Sequence, residues 1–165
     1  KYKTWVEKYV YHPHWCVIPD VIDGTVEQQR ELLKNWHFPK SLSAPVFHLH
    51  LSFDWLWELV NEYDKVCLGS SGKFWKIKSP LWRKRMDDLF NFLEKKTKRL
   101  PWLHGMRMLS LCDDIYPIAS ADSTNIARNF KDIGVHPLLM ANRLDVKQTP
   151  AKFIKNQKEL FHGRV

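Results

Sequence analysis

The chain has 165 residues, 44% of them hydrophobic and eight of them tryptophan, which suits one domain (1–165) with a real core and excludes a disordered chain. No apolar run reaches the ~20 residues of a membrane span, and no signal peptide opens the sequence. The net charge of +8 favours a polyanionic partner. Cys16, Cys67 and Cys112 lie far apart, matching neither a zinc ribbon nor a disulfide framework. They read as reduced core thiols of a cytosolic protein.

In chain order, Trp5, Val6, Tyr9 and Val10 fall at helical spacing and predict a helix over Lys1 to His12. Trp15 to Ile18 reads as a short buried strand, stopped by Pro19 and Asp20, with Val21 to Gly24 a loop. Thr25 with Gln28 makes a capping box for a helix reaching about Trp36. Leu42-Ser-Ala-Pro45 is a polar connection into a second strand, Val46 to Leu49, ending near His50. Ser52 or Asp54 caps a helix to Tyr63, and Lys65 to Leu68 is the third strand, stopped by Gly69-Ser-Ser-Gly72.

Ser79-Pro80 opens the longest helix, with Trp82, Met86, Leu89, Phe90 and Leu93 on one face and Lys95 to Arg99 at its end. Pro101 to His104 is a fourth strand, Gly105 to Cys112 a short helix, and Pro117 to Ala121 a fifth strand. A helix follows from Ile126, broken by Gly134 and Pro137. Leu138 to Leu144 and Pro150 to Phe161 close the chain as helices, the last within 146–165.

Strand and helix alternate about five times, with connections too long for hairpins, which predicts a parallel sheet with helices outside it. The fold class is therefore α/β: a partial or reduced (β/α)8 TIM-type barrel, or a doubly wound open sheet. A full barrel typically takes ~200–250 residues, so this one is short or lacks its first strand. No glycine-rich phosphate fingerprint is present, and Gly69-Ser-Ser-Gly72-Lys73 is not a Walker motif.

Functional groups gather at the carboxyl ends of parallel strands. Here those ends carry Asp20; His48 and His50; Gly69, Ser70 and Ser71; His104 and Gly105; and Asp122, Ser123 and Asn125. Two carboxylates around one mouth can divide roles, one attacking or taking a proton and the other holding a substrate donor. Each has a plainer reading: Asp20 to Gly24 as a turn, and Asp122 as an Asx turn or N-cap for Ile126 to Ile133. His48 and His50 share a strand face and supply part of a metal site, though a satisfied histidine is the commoner role.

Basic residues cluster at Lys73 to Arg85, with Phe74, Trp75 and Trp82 between them, at Lys95 to Arg99, and at Lys147 to Lys158. That pattern suits phosphates and stacked bases, with Lys73, Lys76, Arg83 and Arg128 as candidate phosphate contacts. The alternative is a solvated helix face with Trp82 in the core.

The runs Ile18-Pro-Asp-Val-Ile-Asp-Gly24, Pro45-Val-Phe-His48, Cys67-Leu-Gly-Ser-Ser-Gly72, Trp102-Leu-His-Gly105 and Ala119-Ser-Ala-Asp-Ser-Thr-Asn125 together resemble the queuine tRNA-ribosyltransferase superfamily. The likeness spans Trp15 to about Arg143 and is nearest to small phage-encoded members, which are similar to DNA deazaguanine transglycosylases. The resemblance implies a TIM barrel that replaces guanine by a 7-deazaguanine, in the cytoplasm of a bacterial or phage-infected cell. It implies DNA or tRNA and a free 7-deazaguanine base as partners. No cofactor and no metal are expected from the residues of this chain, and whether a partner chain or homodimer completes the barrel stays open.

By that resemblance Asp122 is the nucleophile at the sugar C1′, Asp20 hydrogen-bonds the base, and Gly69 faces its edge. His48 falls near a family glutamine that reads the base. The sequence departs from the family at three points. The family's other acid–base aspartate, after the first strand, would precede Lys1. Its Cys-rich zinc subdomain has no counterpart, and Thr124-Asn-Ile-Ala-Arg128 replaces the usual Pro-Thr-Arg. A noncatalytic nucleic-acid- or nucleotide-binding protein and an N-glycoside hydrolase remain open alternatives to base exchange.

Overall fold

The computed structural model describes residues 1–111, 116–124, 134 and 136–145, with 144 and 145 described by backbone only. These residues form a mixed α/β protein whose strands pair in parallel. The chain divides into two compact units, Lys1–Trp102 and Leu103–Val165.

In the first unit, α1 (Tyr2–Tyr9) buries Val6 and, just beyond its end, Val10. These two valines join Cys16, Ile18, Trp36 and Tyr63 in one apolar cluster. β1 (Cys16–Val17) pairs in parallel with β2 (Ser43–Ala44). Between them runs α2 (Val26–Lys34), which starts where Thr25 and Gln28 form the expected reciprocal capping box.

β2 corrects the polar connection expected over Leu42 to Pro45. Ser43 is buried there without penalty, because its hydroxyl accepts from Trp36 Nε1 at 2.9 Å and donates to the Pro39 carbonyl at 2.8 Å. Pro45 has no N–H for the ladder and separates β2 from β3 (Val46–His48). The extended run from Ser43 to His48 therefore pairs first with β1 and then, through β3, with β4 (Lys65–Gly69). In the second pairing His48 stands opposite Gly69. Because all these strands run the same way, their carboxyl ends lie at one edge of the unit.

α3 (Phe53–Glu62) begins at Ser52, whose hydroxyl accepts from Trp55 N, so Ser52 rather than Asp54 is the cap. α4 (Pro80–Lys96) begins at Ser79 with proline in its first turn and buries Trp82, Met86, Leu89, Phe90 and Leu93, the face expected from its spacing. Cys16 and Cys67 are buried free thiols, while Cys112 lies outside the described residues.

In the second unit, β5 (Trp102–Gly105), which begins at the division, pairs in parallel with β6 (Ser120–Ala121). β6 is shorter than the expected Pro117 to Ala121, because Ile118 N turns back onto the Tyr116 carbonyl. The short helix expected from Gly105 is instead a turn followed by one 3-10 turn, Leu109–Leu111. Arg107 sits at φ 58°, a left-handed conformation that a helix cannot contain. α5 (Pro137–Asp145) matches the helix expected over Leu138 to Leu144. The helices expected from Ile126 and over Pro150 to Phe161 fall outside the described residues. Among the described residues no helix is long and apolar enough to cross a membrane.

Arg85 of α4 fastens the turn that follows β3. Its Nε donates to the Leu49 carbonyl at 2.7 Å, its terminal nitrogen donates to the Leu51 carbonyl, and its guanidinium lies 3.7 Å from the Phe53 ring centre. Arg85→Met keeps the apolar stem and strands both carbonyls. It should cost about 2 kcal/mol, read as a lowered urea midpoint at unchanged slope.

Candidate functional site

Each unit carries its own set of polar groups at strand ends. In the first unit β1 is followed by Ile18, Pro19 and Asp20, and the Asp20 carboxylate reaches His48 at the end of β3, Oδ2 to Nε2, 2.6 Å. A carboxylate only accepts, so His48 Nε2 carries the proton and donates it. Asp20 keeps 22% of its side chain exposed while His48 keeps 4%, so the buried imidazole orients a carboxylate that still faces outward. A second oxygen of that carboxylate remains as an acceptor for a ligand N–H.

Gly69 is what allows this pair. A Cβ there would meet His48 Nδ1 at 2.9 Å and Val46 Cγ1 at 3.2 Å, so only glycine lets the ring lie against β4. The Gly69 carbonyl accepts from Leu49 N at 3.0 Å, and His48 Nδ1 is sealed with no hydrogen-bond partner. The glycine's visible role is close packing of the imidazole.

His50 lies two residues past β3, in a turn rather than on the strand, yet its ring still neighbours that of His48, with centres 5.8 Å apart. Its Nε2 donates to the Gly24 carbonyl at 3.0 Å, and Nδ1 meets Ser71 Oγ at 2.8 Å. Both ring nitrogens are engaged within the protein. Asp23, at φ 60°, accepts from Gly72 N at 2.6 Å, so the loop after β1 is tied to the loop after β4 once directly and once through the His50 ring. Asp23 was legible in sequence only as a turn residue. Ser70 is buried and accepts from Trp82 Nε1 at 2.9 Å. The hydroxyls of Ser70 and Ser71 thus brace the loop from inside. Among the described residues no group of three His, Cys, Asp or Glu side chains is placed to hold a metal.

Beyond that loop Lys73 and Lys76 are exposed, and Trp75 between them is 69% exposed. Phe74 and Trp82 are buried, so of the three aromatics interleaved with the basic run only Trp75 faces solvent. Arg83 is half-buried and has partners within the protein.

In the second unit His104 of β5 stands in register with Ser120 of β6, Nδ1 to Oγ, 2.7 Å. Two residues on, and therefore on the same face of the strand, comes Asp122. Its Oδ2 lies 3.6 Å from His104 Nε2, and its Oδ1 accepts from the backbone N–H of Arg107. The left-handed turn at Arg107 aims that N–H, and Gly105 makes the turn possible, since a Cβ there would strike Met108 Cβ at 2.8 Å. Backbone bonds from Asp122 N to the Gly105 carbonyl at 3.2 Å, and from Leu109 N to the Asp122 carbonyl at 3.0 Å, fix the residue on both sides.

The Asp122 carboxylate is thus held across the strand pair rather than by the chain that follows it. The His104 ring beside it first, and the hydrogen bond from Arg107 N–H next, outweigh partial burial and hold its pKa below the ordinary carboxylate value. The side chain remains 55% exposed. The product is an oriented, accessible anion. Ser120 and Arg107 were not singled out by sequence reasoning. Ser120 could have been, from its two-residue spacing to Asp122. Ser123 is half-buried with partners in the protein, while Asn125 and Arg128 lie outside the described residues.

Compared with protein-family models, curated proteins and solved structures, the chain has no match.

Two outcomes follow from these geometries. Gly69→Ala must displace His48 or β3 and should cost about 1–3 kcal/mol in urea unfolding, with loss of the Asp20–His48 proton signal by NMR. Asp122 is depressed in the fold, so its stabilisation is present above the unfolded carboxylate pKa and lost as pH falls through the folded value. Urea midpoints of wild type and Asp122→Asn should therefore differ near neutral pH and converge in acid, by a small amount because the carboxylate is half exposed.

Proposed function

We propose that this chain exchanges a purine base on a nucleic acid by substitution at the sugar C1′, with Asp122 as nucleophile. The observation that carries the reading is the state of Asp122: an accessible carboxylate, kept ionised, with both oxygens oriented by His104 and the Arg107 N–H. In the first step an Asp122 oxygen bonds to C1′ as the C1′–N bond breaks, and the departing base keeps the electron pair and takes up a proton. In the second step an incoming 7-deazaguanine gives up its ring N–H and bonds to C1′ while the ester C–O bond breaks, restoring the carboxylate. The exchange is neutral in protons and needs no oxidant, reductant or cofactor.

His104, with Ser120 behind it, serves as the positioning group. With the Ser120 hydroxyl donating to Nδ1, the proton sits on Nε2, which faces the Asp122 carboxylate at 3.6 Å. Asp20, braced by His48, is assigned to a base N–H. Lys73 and Lys76 are assigned to phosphates of DNA or tRNA. The parallel pairs β1–β2, β3–β4 and β5–β6, with helices following β1, β3 and β4, support a partial or reduced TIM-type barrel as the frame. The resemblance to the queuine tRNA-ribosyltransferase superfamily adds the substrate class, guanine replaced by a 7-deazaguanine.

The test is labelled-guanine exchange into DNA and into tRNA, with a denaturing gel to catch the covalent adduct. Asp122→Asn should abolish the adduct and lower exchange by about a thousandfold or more while keeping the folded circular-dichroism spectrum. Full exchange in that variant overturns the reading. Base release without incorporation would assign a hydrolase instead, and salt-sensitive binding with neither reaction a binding protein. His104→Gln removes the main cause of the depressed Asp122 pKa. The acid limb of its rate–pH profile should therefore move to higher pH, with KM changing less than kcat.

A further inference from the structure

α1 carries a row of aromatic rings apart from the strand-end groups above. Tyr2, Trp5 and Tyr9 occupy positions i, i+3 and i+7 of this helix and so share one face. Their rings form a row: Tyr2 to Trp5 at 6.2 Å and nearly parallel, Trp5 to Tyr9 at 5.8 Å. Trp36, buried beneath the helix, extends the row at 6.1 Å from Tyr2. Tyr11 follows just past the helix end. These four surface rings are between 41% and 64% exposed. Aromatic side chains offer about 150–250 Å² each. The three half-exposed rings of the row make a patch on the order of 300 Å², in the range of the largest apolar patch of a typical monomer, which is often functional.

Trp5 and Tyr9 stand outside the apolar cluster, whose packing Val6 and, past the helix end, Val10 supply, while Tyr2 leans on that cluster at Trp36. The Tyr2 hydroxyl donates to the Val17 carbonyl at 2.7 Å, and Lys3 Nζ donates to the Asn35 carbonyl at 2.6 Å, so the first turn of the helix is docked by two side-chain bonds.

Charge decides what the row fits. Lys8 Nζ lies 5.1 Å from the Tyr9 ring centre, beside the row, and Lys1 precedes Tyr2. Glu7, the only acidic residue of this stretch, lies on the opposite side of the helix at 3.6 residues per turn. Protein interfaces favour tyrosine and tryptophan but are depleted in lysine. A membrane-surface helix wants aliphatic residues beside its tryptophan, and this face has none. Flat rings in a row flanked by cations are the combination that takes unpaired bases and their phosphates together. We infer that the Tyr2–Trp5–Tyr9 face of α1 is a stacking platform for single-stranded nucleic acid, separate from the strand-end groups.

The experiment measures anisotropy of a labelled oligo-dT of roughly 16 nucleotides and of the matching duplex. Trp5→Ala combined with Tyr9→Ala should weaken oligo-dT binding about tenfold or more and leave duplex binding nearly unchanged. Trp5→Phe should retain most of it. Lys8→Ala should weaken oligo-dT binding and flatten its salt dependence by roughly one released ion. Val6 and Val10 are untouched, so the thermal midpoint should hold in every variant. Equal oligo-dT affinity in wild type and the double variant overturns the inference. So does a self-association, or an adsorption to anionic vesicles, that the double variant abolishes while oligo-dT binding stays. Asp122→Asn should leave this binding intact, so failure of the platform and failure of the base-exchange reading are separately visible.

Discussion

Parallel pairing is the constraint on which the first unit's chemistry depends. β1, β3 and β4 run the same way, so Asp20, His48 and Gly69 emerge together at their carboxyl ends. The register then sets His48 directly opposite a residue with no side chain, and the ring fills the space a Cβ would occupy. Once the imidazole lies flat against β4, its Nε2 has one place to point, and the Asp20 carboxylate is there. Antiparallel pairing of the same strands would scatter these groups to both edges. The loop ties through His50 and Asp23 are consequences of the same arrangement, because loops leaving one edge are near enough to bond one another.

Two carboxylates, Asp20 and Asp122, are treated differently by their surroundings, and such a difference is what lets one residue type take two chemical roles. Asp20 is mostly covered and donor-bound through one oxygen to a buried ring. It is suited to holding a ligand hydrogen in place. Asp122 is more than half exposed, and the His104 ring and the Arg107 backbone N–H both favour its anion. An exposed, oriented anion is the form that the proposed attack on C1′ requires. The left-handed backbone at Arg107 stores about 1–2 kcal/mol of unfavourable conformation in a turn whose visible effect is to aim one N–H at this carboxylate. A turn needed only to join β5 to the next element could use glycine there.

Much of this was legible in the sequence, for reasons that can be named. Caps depend on a few adjacent residues, so Thr25 with Gln28, and Ser79 with Pro80, mark helix starts that the structure places where expected. Strand ends follow from proline, glycine and aspartate, and Asp20, His48, Gly69, His104 and Asp122 all fall at or just past such ends. What was not legible depends on partners distant in sequence. Ser43 looks like a loop serine until Trp36 and Pro39 satisfy its hydroxyl inside the protein. Ser70 and Ser71 look like ligand contacts until Trp82 and His50 claim them. The helix expected after Gly105 has suitable composition, and it is a backbone sign at Arg107, invisible in residue type, that prevents it.

The same distinction applies to charge. The basic run from Lys73 to Arg85 contributes six cations to the sequence count, yet they are not six free contacts. Arg85 is consumed by the Leu49 and Leu51 carbonyls, Lys84 pairs with Asp88 at 3.1 Å one helical turn away, and Lys78 and Arg83 have partners of their own. Lys73 and Lys76 remain exposed on either side of Trp75. A count of basic residues therefore overstates the electrostatic grip of this segment about threefold, since each pinned cation would have to break an existing bond before meeting a phosphate. What the segment offers is a short cationic edge around one exposed ring, beside the loop that His50 and Asp23 hold fixed. Besides Lys73 and Lys76, what this segment presents to solvent is one flat ring, that of Trp75, so any partner it meets would meet an aromatic face as much as a charge.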